Sequence, residues 1–218
     1  MFSIRDLRIL ICDDHPIFVE GIESILDRSS LAKKWIIHLT KTYSGQMALQ
    51  QIRSRQFDLA IVDLGIPDID GTELIEHIQA QSPNTKIFVL TGSQNSVILA
   101  RIHQMQVTGL MLKLNAFEEL ATAIEQCLQN GKSYLDPQAD ALLEVSTGQP
   151  LSEQEYKVLK FIAEGKNPPE IAEIMNCHRS TVRTYMNRIS AKTGARGIAD
   201  MVGFYLQGNV KGDRRSQP

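Results

Sequence analysis

The sequence predicts a parallel α/β sheet followed by a small all-helical domain, and three observations carry that prediction. Five short apolar runs rich in β-branched residues alternate with helical periodicities before residue 130. Four of the five runs end on a polar side chain, at the edge where open sheets of this kind gather ligands. After a polar stretch of helix breakers, Ser146-Thr147-Gly148-Gln149-Pro150, the pattern becomes helical throughout.

The first strand is expected at 8–12, Arg-Ile-Leu-Ile-Cys, and it stops on Asp13-Asp14. Two adjacent carboxylates repel each other. Such a pair suits either a hard dication, which takes few protein oxygens and keeps its waters, or a solvated helix N-terminus. His15 reads as a local loop residue. Pro16 opens a helix to about 28 with Ile17, Phe18, Gly21, Ile22, Ile25 and Leu26 as its apolar stripe. A weaker strand at 35–40 and a helix at 44–54 follow.

The central strand, 59–62, reads Leu-Ala-Ile-Val and ends abruptly on Asp63. Pro67 lacks an N–H and Asp70-Gly71 is a turn pair, so the backbone leaves the sheet as a loop before a helix at 72–81. The fourth strand, 86–91, ends on Thr91, with small Gly92 and Ser93 after it. The fifth, 107–112, ends on Lys113. A helix at 116–129 buries Leu120, Ile124 and Leu128, and Asn130-Gly131 caps it. The alternation calls for right-handed crossovers.

Bulk properties narrow the class. The chain has 218 residues, 43% of them hydrophobic, enough for two ordinary domains. Cys12, Cys127 and Cys177 are odd in number and scattered, so a disulfide framework or a metal pattern is not expected. No apolar run reaches the roughly 18 residues of a membrane span, and Arg5, Asp6 and Arg8 spoil a signal-peptide core, so a soluble cytoplasmic protein is expected. The net charge of -2 hides an asymmetry: residues 151–218 hold 11 Lys or Arg against 7 Asp or Glu, while residues 1–150 hold 12 against 18. An acidic front and a basic end predict different partners.

In a parallel sheet the strand tips share one edge, so Asp13, Asp14, Asp63, Thr91 and Lys113 can converge. That set supports one economical chemistry. Asp63 is a nucleophile able to take a phosphoryl group as an acyl phosphate, a metal on the acids offsets the anions, and Lys113 and Thr91 hold phosphoryl oxygens.

With an acidic pair, Asp-x-x-x-Pro, Thr and Lys in that order, residues 1–130 resemble the receiver domain of two-component response regulators. The resemblance implies a flavodoxin-like five-stranded parallel sheet of order 2-1-3-4-5, phosphoryl transfer from a sensor histidine kinase to Asp63, and Mg2+ on Asp13, Asp14 and Asp63. Three positions depart from the family pattern. Gly65 stands two residues after the acceptor, where no side chain can influence hydrolysis. Leu110 stands where members often carry an aromatic that swings inward on activation. Leu114 follows the lysine, where Pro or an acid is usual.

Residues 131–150, with one weak helix, read as a linker. The second domain opens on a capping box, Ser152 with Glu155, and its first helix stops at Gly165. Asn167 caps a second helix carrying Pro168 and Pro169 in its first turn. A turn at Asn176-Cys177-His178 leads to a third helix at about 180–193. There Val182, Met186 and Ile189 face inward, and Arg179, Arg183, Thr184, Asn187 and Arg188 face out, groups able to bond both phosphates and base edges of duplex DNA.

Leu-Ser-Glu-Gln-Glu from Leu151, Glu170-Ile171-Ala172, Thr181-Val182-Arg183, Asn187-Arg188-Ile189 and Lys192-Thr193-Gly194 make residues 151–207 similar to the LuxR-type helix-turn-helix domain. By position in that family, Arg183, Thr184 and Asn187 are expected to read bases, and Ser180, Thr181, Arg188 and Lys192 to contact phosphates. A fourth helix at about 197–206 is expected to expose Met201, Val202 and Tyr205 as a homodimer interface on DNA. The tail, 208–218, is expected to be disordered.

Together the halves resemble a NarL/LuxR-type response regulator, a DNA-binding protein and not a turnover enzyme. A regulator of the same fold whose receiver only dimerises or docks another protein is the nearest alternative. An aspartate-nucleophile hydrolase needs a second acid two residues after the nucleophile to protonate the leaving group, and Gly65 stands there.

Overall fold

The computed structural model describes residues 5–145 and 151–209. They fall into two compact units, 5–92 with 102–140, and 93–101 with 141–145 and 151–209. Among the described residues no helix is long and apolar enough to cross a membrane.

In chain order the elements are β1 (Arg5–Cys12), α1 (Pro16–Arg28), α2 (Ser30–Lys34), β2 (Trp35–Thr42), α3 (Gly45–Ser54), β3 (Leu59–Asp63), α4 (Gly71–Gln81), β4 (Lys86–Thr91), α5 (Ser96–Gln104), β5 (Gly109–Leu112), α6 (Ala116–Asn130), β6 (Tyr134–Leu135), α7 (Pro137–Val145), α8 (Glu153–Ala163), α9 (Pro168–Ile174), α10 (Arg179–Thr193) and α11 (Ile198–Asn209). The sheet has six parallel strands in the order β2-β1-β3-β4-β5-β6, so the expected order holds and gains a strand.

Alternation along the strands divides the core. Ile9, Ile11, Leu59, Ile61, Phe88, Leu90 and Met111 join one cluster with Val19, Ile22 and Leu26 of α1 and Leu120, Ala123 and Ile124 of α6. α3 and α4 pack on each other and reach the sheet at β1 and β3. Strands buried on both faces explain why the runs read as continuously apolar. The register pairs Cys12 with Val62, Asp63 with Leu90 and Thr91 with Leu112, which levels the strand ends at one edge.

The stretch expected as a linker is structured at least to Val145. Tyr134 N and Asp136 N donate to Thr108 O and Leu110 O, both at 2.9 Å, and extend the sheet. Asp136 is fully buried. One of its oxygens accepts from Leu112 N at 3.2 Å and Asn115 Nδ2 at 2.9 Å, the other from Gln138 N at 2.8 Å and Ala139 N at 3.3 Å. One carboxylate thus caps α7 and ties it to the end of β5. Two residues of strand leave no periodicity to read, which is why β6 escaped the sequence. The breaker stretch, 146–150, lies outside the described residues.

Helix ends follow local chemistry. Gly131 takes the left-handed cap at φ 62°. Asp70 is the N-cap of α4, its side chain accepting from Thr72 N at 2.9 Å, so the expected turn pair is a helix start.

In the second unit α8, α9, α10 and α11 share a core of Val158, Leu159, Ile162, Ile171, Val182, Ile189 and Met201. The expected capping box of Ser152 with Glu155 forms, and Asn167, expected as a cap, makes a second one with Glu170. Glu155 is buried, accepting from Ser152 N at 2.7 Å and Lys192 Nζ at 2.6 Å. α11 continues to Asn209, two residues into the expected tail. Residues 210–218 lie outside the described residues.

Asp136→Ala removes a cap and strands buried donors, so it should cost about 2 to 4 kcal/mol in the denaturant unfolding of the α/β unit. Glu155 has a second signature. Burial raises its carboxyl, but the Lys192 ammonium and Ser152 outweigh it and hold it below the ordinary glutamate value. A depressed folded pKa contributes stability that is full above the unfolded value and lost as pH falls through the folded one. Glu155→Gln should therefore lose about 1 to 3 kcal/mol at pH 7 and show a weaker acid destabilisation in pH-dependent melting.

Candidate functional site

Three strand ends build the site. β1 delivers Asp13 and Asp14, β3 delivers Asp63, and the backbone turning from β5 into a short 3-10 segment, Lys113–Asn115, delivers Lys113. Asp13 and Asp63 are buried, and Asp14 is partly so. Lys113 Nζ sits between the first two, 2.6 Å from Asp13 Oδ2 and 2.7 Å from Asp63 Oδ2. Thr91, 1% exposed, ends the neighbouring strand.

His15, expected as a loop residue, bonds to the acidic pair within its own turn. Its amide donates to Asp13 Oδ1 at 2.9 Å, and its Nδ1 lies 3.0 Å from that oxygen and 2.9 Å from Asp14 Oδ1. Donor atoms of Asp13, Asp14, His15 and Asp63 all lie within 4.8 Å of one another. Hard carboxylate oxygens in this number suit an oxygen-seeking dication such as Mg2+.

The electrostatics agree. Burial pushes the Asp63 carboxyl above its ordinary range, and Asp13 adds to the shift, against the opposing pull of Lys113 and the Gly65 amide. Three carboxylates gather around one lysine, which bridges two of them, and this leaves the site short of positive charge. Cys12, one residue before the pair, is a buried thiol pushed up to about 12 by desolvation, and so is inert.

The loop after Asp63 is pinned from outside the site. Asp68 accepts from Gly45 N and Gln46 N, both at 2.9 Å, at the start of α3. A Cβ at Gly65 would lie 3.3 Å from Asp63 Oδ2, so this backbone passes directly beside the acceptor. Neither Asp68 nor Asp136 has a periodic or motif signal that would single it out in the sequence.

On the second unit, α10 presents two rows at helical spacing, Arg179, Arg183 and Asn187, and Ser180, Thr184 and Arg188. All six are exposed, and Thr181 is half-buried. His178 caps the helix, its side chain accepting from Ser180 N at 3.3 Å. Two expectations need correction. Lys192 is turned inward onto buried Glu155, because that carboxylate needs a cation. Met201 is 3% exposed and belongs to the core, because α11 packs on α8; Val202 and Tyr205 are half-buried beside it.

Residues 9–125 match the response regulator receiver domain model, and residues 149–204 match the model of bacterial regulatory proteins of the luxR family. A putative transcriptional regulator of Pseudomonas aeruginosa is 29% identical over 206 residues, covering 90% of this chain and 96% of its own length. The transcriptional regulatory protein RcsB of Escherichia coli is 29% identical over 199 residues, 88% of this chain and 90% of its own. RcsB of Salmonella enterica serovar Typhimurium, bound to promoter rprA with the phosphomimetic BeF3-, superposes with a TM-score of 0.71 at 25% identity, covering 91% and 98% of the two chains. A structure of two RcsB dimers bound to two parallel DNAs gives 0.65 at 26%, covering 93% and 98%. With strand-end acids and lysine in one unit and an outward-facing row of arginines in the other, the chain belongs to the response regulators that join a receiver domain to a LuxR-family regulatory domain.

Proposed function

We propose that this chain is a DNA-binding transcriptional response regulator in which a sensor histidine kinase phosphorylates Asp63 and the modification controls dimerisation and promoter binding. The observation that carries it is the Lys113 ammonium bridging Asp13 and Asp63 at the sheet edge. An Asp63 oxygen attacks the phosphorus of a phosphohistidine, the P–N bond breaks, the imidazole leaves, and an acyl phosphate remains. Asp13 and Asp63 share Lys113, and Asp13 also accepts from the His15 amide, while Asp63 stands at the end of the central strand. Lys113 exchanges its Asp63 partner for a phosphoryl oxygen, and the Thr91 hydroxyl takes another. Asp13, Asp14 and Asp63 would hold Mg2+, which when bound offsets the charge of the carboxylates and the incoming phosphoryl group.

For DNA we take residues 151–207 as the reading domain, with Arg183, Thr184 and Asn187 at base edges and Arg179, Ser180, Thr181 and Arg188 on phosphates. Lys192 is left out, being held by Glu155. Val202 and Tyr205 supply the dimer face of α11, with Met201 buttressing them from the core. Two copies would read half-sites about one helical turn apart.

Intact mass after incubation with a small acyl phosphate should show one added phosphoryl group, dependent on Mg2+ and absent in Asp63→Ala. No gain in a folded wild type would favour a phosphate-independent receiver, the reading that Leu110 and Gly65 invite. In DNA-binding titrations Arg188→Ala should weaken all sequences alike and lower the salt slope by about 1, whereas Arg183→Ala should cost about 1 to 3 kcal/mol at the specific site and relax its preference.

A further inference from the structure

Leu110 occupies the position three residues before the lysine and is buried in β5, so no aromatic reaches the site from that strand position. An aromatic does reach Lys113, from a different element. The ring of Phe18, on α1, lies with its centroid 4.6 Å from Lys113 Nζ. Phe18 is half-buried and meets Phe117 of α6 edge to face, ring centroids 5.5 Å apart at 82°. Phe117 in turn lies over Gly21, where an added Cβ would come within 2.7 Å of its ring. Glycine at this point of α1 is what gives that ring its room.

We propose that Phe18 is a positioning residue for Lys113: its ring face holds the ammonium at the strand tip, and Phe117 and Gly21 fix the ring. The inference rests on the phosphoryl-transfer reading of Asp63. The lysine needs such a guide because its long stem is flexible and it must change partners when Asp63 is modified. Two carboxylates attract the ammonium without fixing its direction, whereas a ring face within about 6 Å attracts the cation along one axis and leaves its N–H groups for oxygen. The position on α1 gives a ring that follows Lys113 a route to α6, where Phe117 is 55% exposed, and away from the core position of Leu110.

The test follows phosphoryl gain and loss on Asp63 by intact mass, with a small acyl phosphate and Mg2+, in wild type, Phe18→Leu, Phe18→Met, Phe18→Tyr and Phe18→Trp, each checked for a cooperative melt. Phe18→Leu and Phe18→Met should gain the group about three- to tenfold more slowly, the change expected on losing a partly desolvated cation–π contact. Phe18→Tyr should stay within about twofold of wild type, and Phe18→Trp should keep more activity than either aliphatic variant despite its size. Wild-type rates in the aliphatic variants would overturn the proposal. So would a ranking by fit, with Leu and Met near wild type and Trp worst, since that is what a purely packing role gives. If the wild type itself takes no phosphoryl group, the reading of Asp63 fails, a result distinct from either.

Discussion

Charge burial at the carboxyl edge of the sheet is the constraint around which the first unit is arranged. Asp13, Asp14 and Asp63 converge there, and Lys113 bridges two of them. Removing carboxylates from water is unfavourable unless each gains a partner, and Asp63 remains above its ordinary pKa even with the lysine beside it. The resting site is therefore held short of neutrality by the sheet. Anything that adds positive charge or redistributes it, a dication or a phosphoryl group drawing the lysine away, changes the balance at once. Such a site stores its responsiveness in an unfavourable arrangement that the hydrophobic core stabilises from below.

What the core provides is register. A shift of one residue between β1 and β3 would separate Asp13 from Asp63 and exchange the side chains that face the two helical layers. The loops carrying the chemistry are in turn tied down by acids that never touch the site. Asp68 anchors the segment after Asp63 to the start of α3, and Asp136 anchors the residues around Lys113 to the start of α7. Positioning charge with charge through backbone amides suits a loop, because amide donors are present whatever the side chains are.

This separates what could be read from the chain alone from what could not. Strands β1, β3, β4 and β5 were legible because burial on both faces writes an uninterrupted apolar run, and the chemistry was legible because each run stops on a polar residue. The capping box of Ser152 and Glu155 was legible because its logic spans three residues. The misses share a cause, dependence on partners distant in sequence. β6 is a strand by virtue of pairing with β5, and Asp136 is buried because Leu112 and Asn115 surround it. Lys192 looked like a phosphate contact until Glu155, 37 residues away, claimed it. Met201 sat on a helix whose apolar residues outnumber the places on one face, so periodicity could not choose which of them packs inward.

In the second unit, the direction in which each cation points separates stability from recognition. Lys192 crosses from α10 to α8 and is spent inside the fold, where its carboxylate partner is buried. Arg179, Arg183 and Arg188 leave the same helix on the solvent side. Arginine suits that side, since its planar fork binds phosphate or a base edge through two donors at once, while a lysine on a flexible stem suits a single carboxylate already held by a cap. The basic balance of the carboxyl-terminal end is thus a poor guide taken as a sum. On the proposed reading its recognition charge lies in the residues whose spacing on α10 points them away from Val182 and Ile189, and an internal ion pair would let that helix keep its orientation while its outer face meets a polyanion.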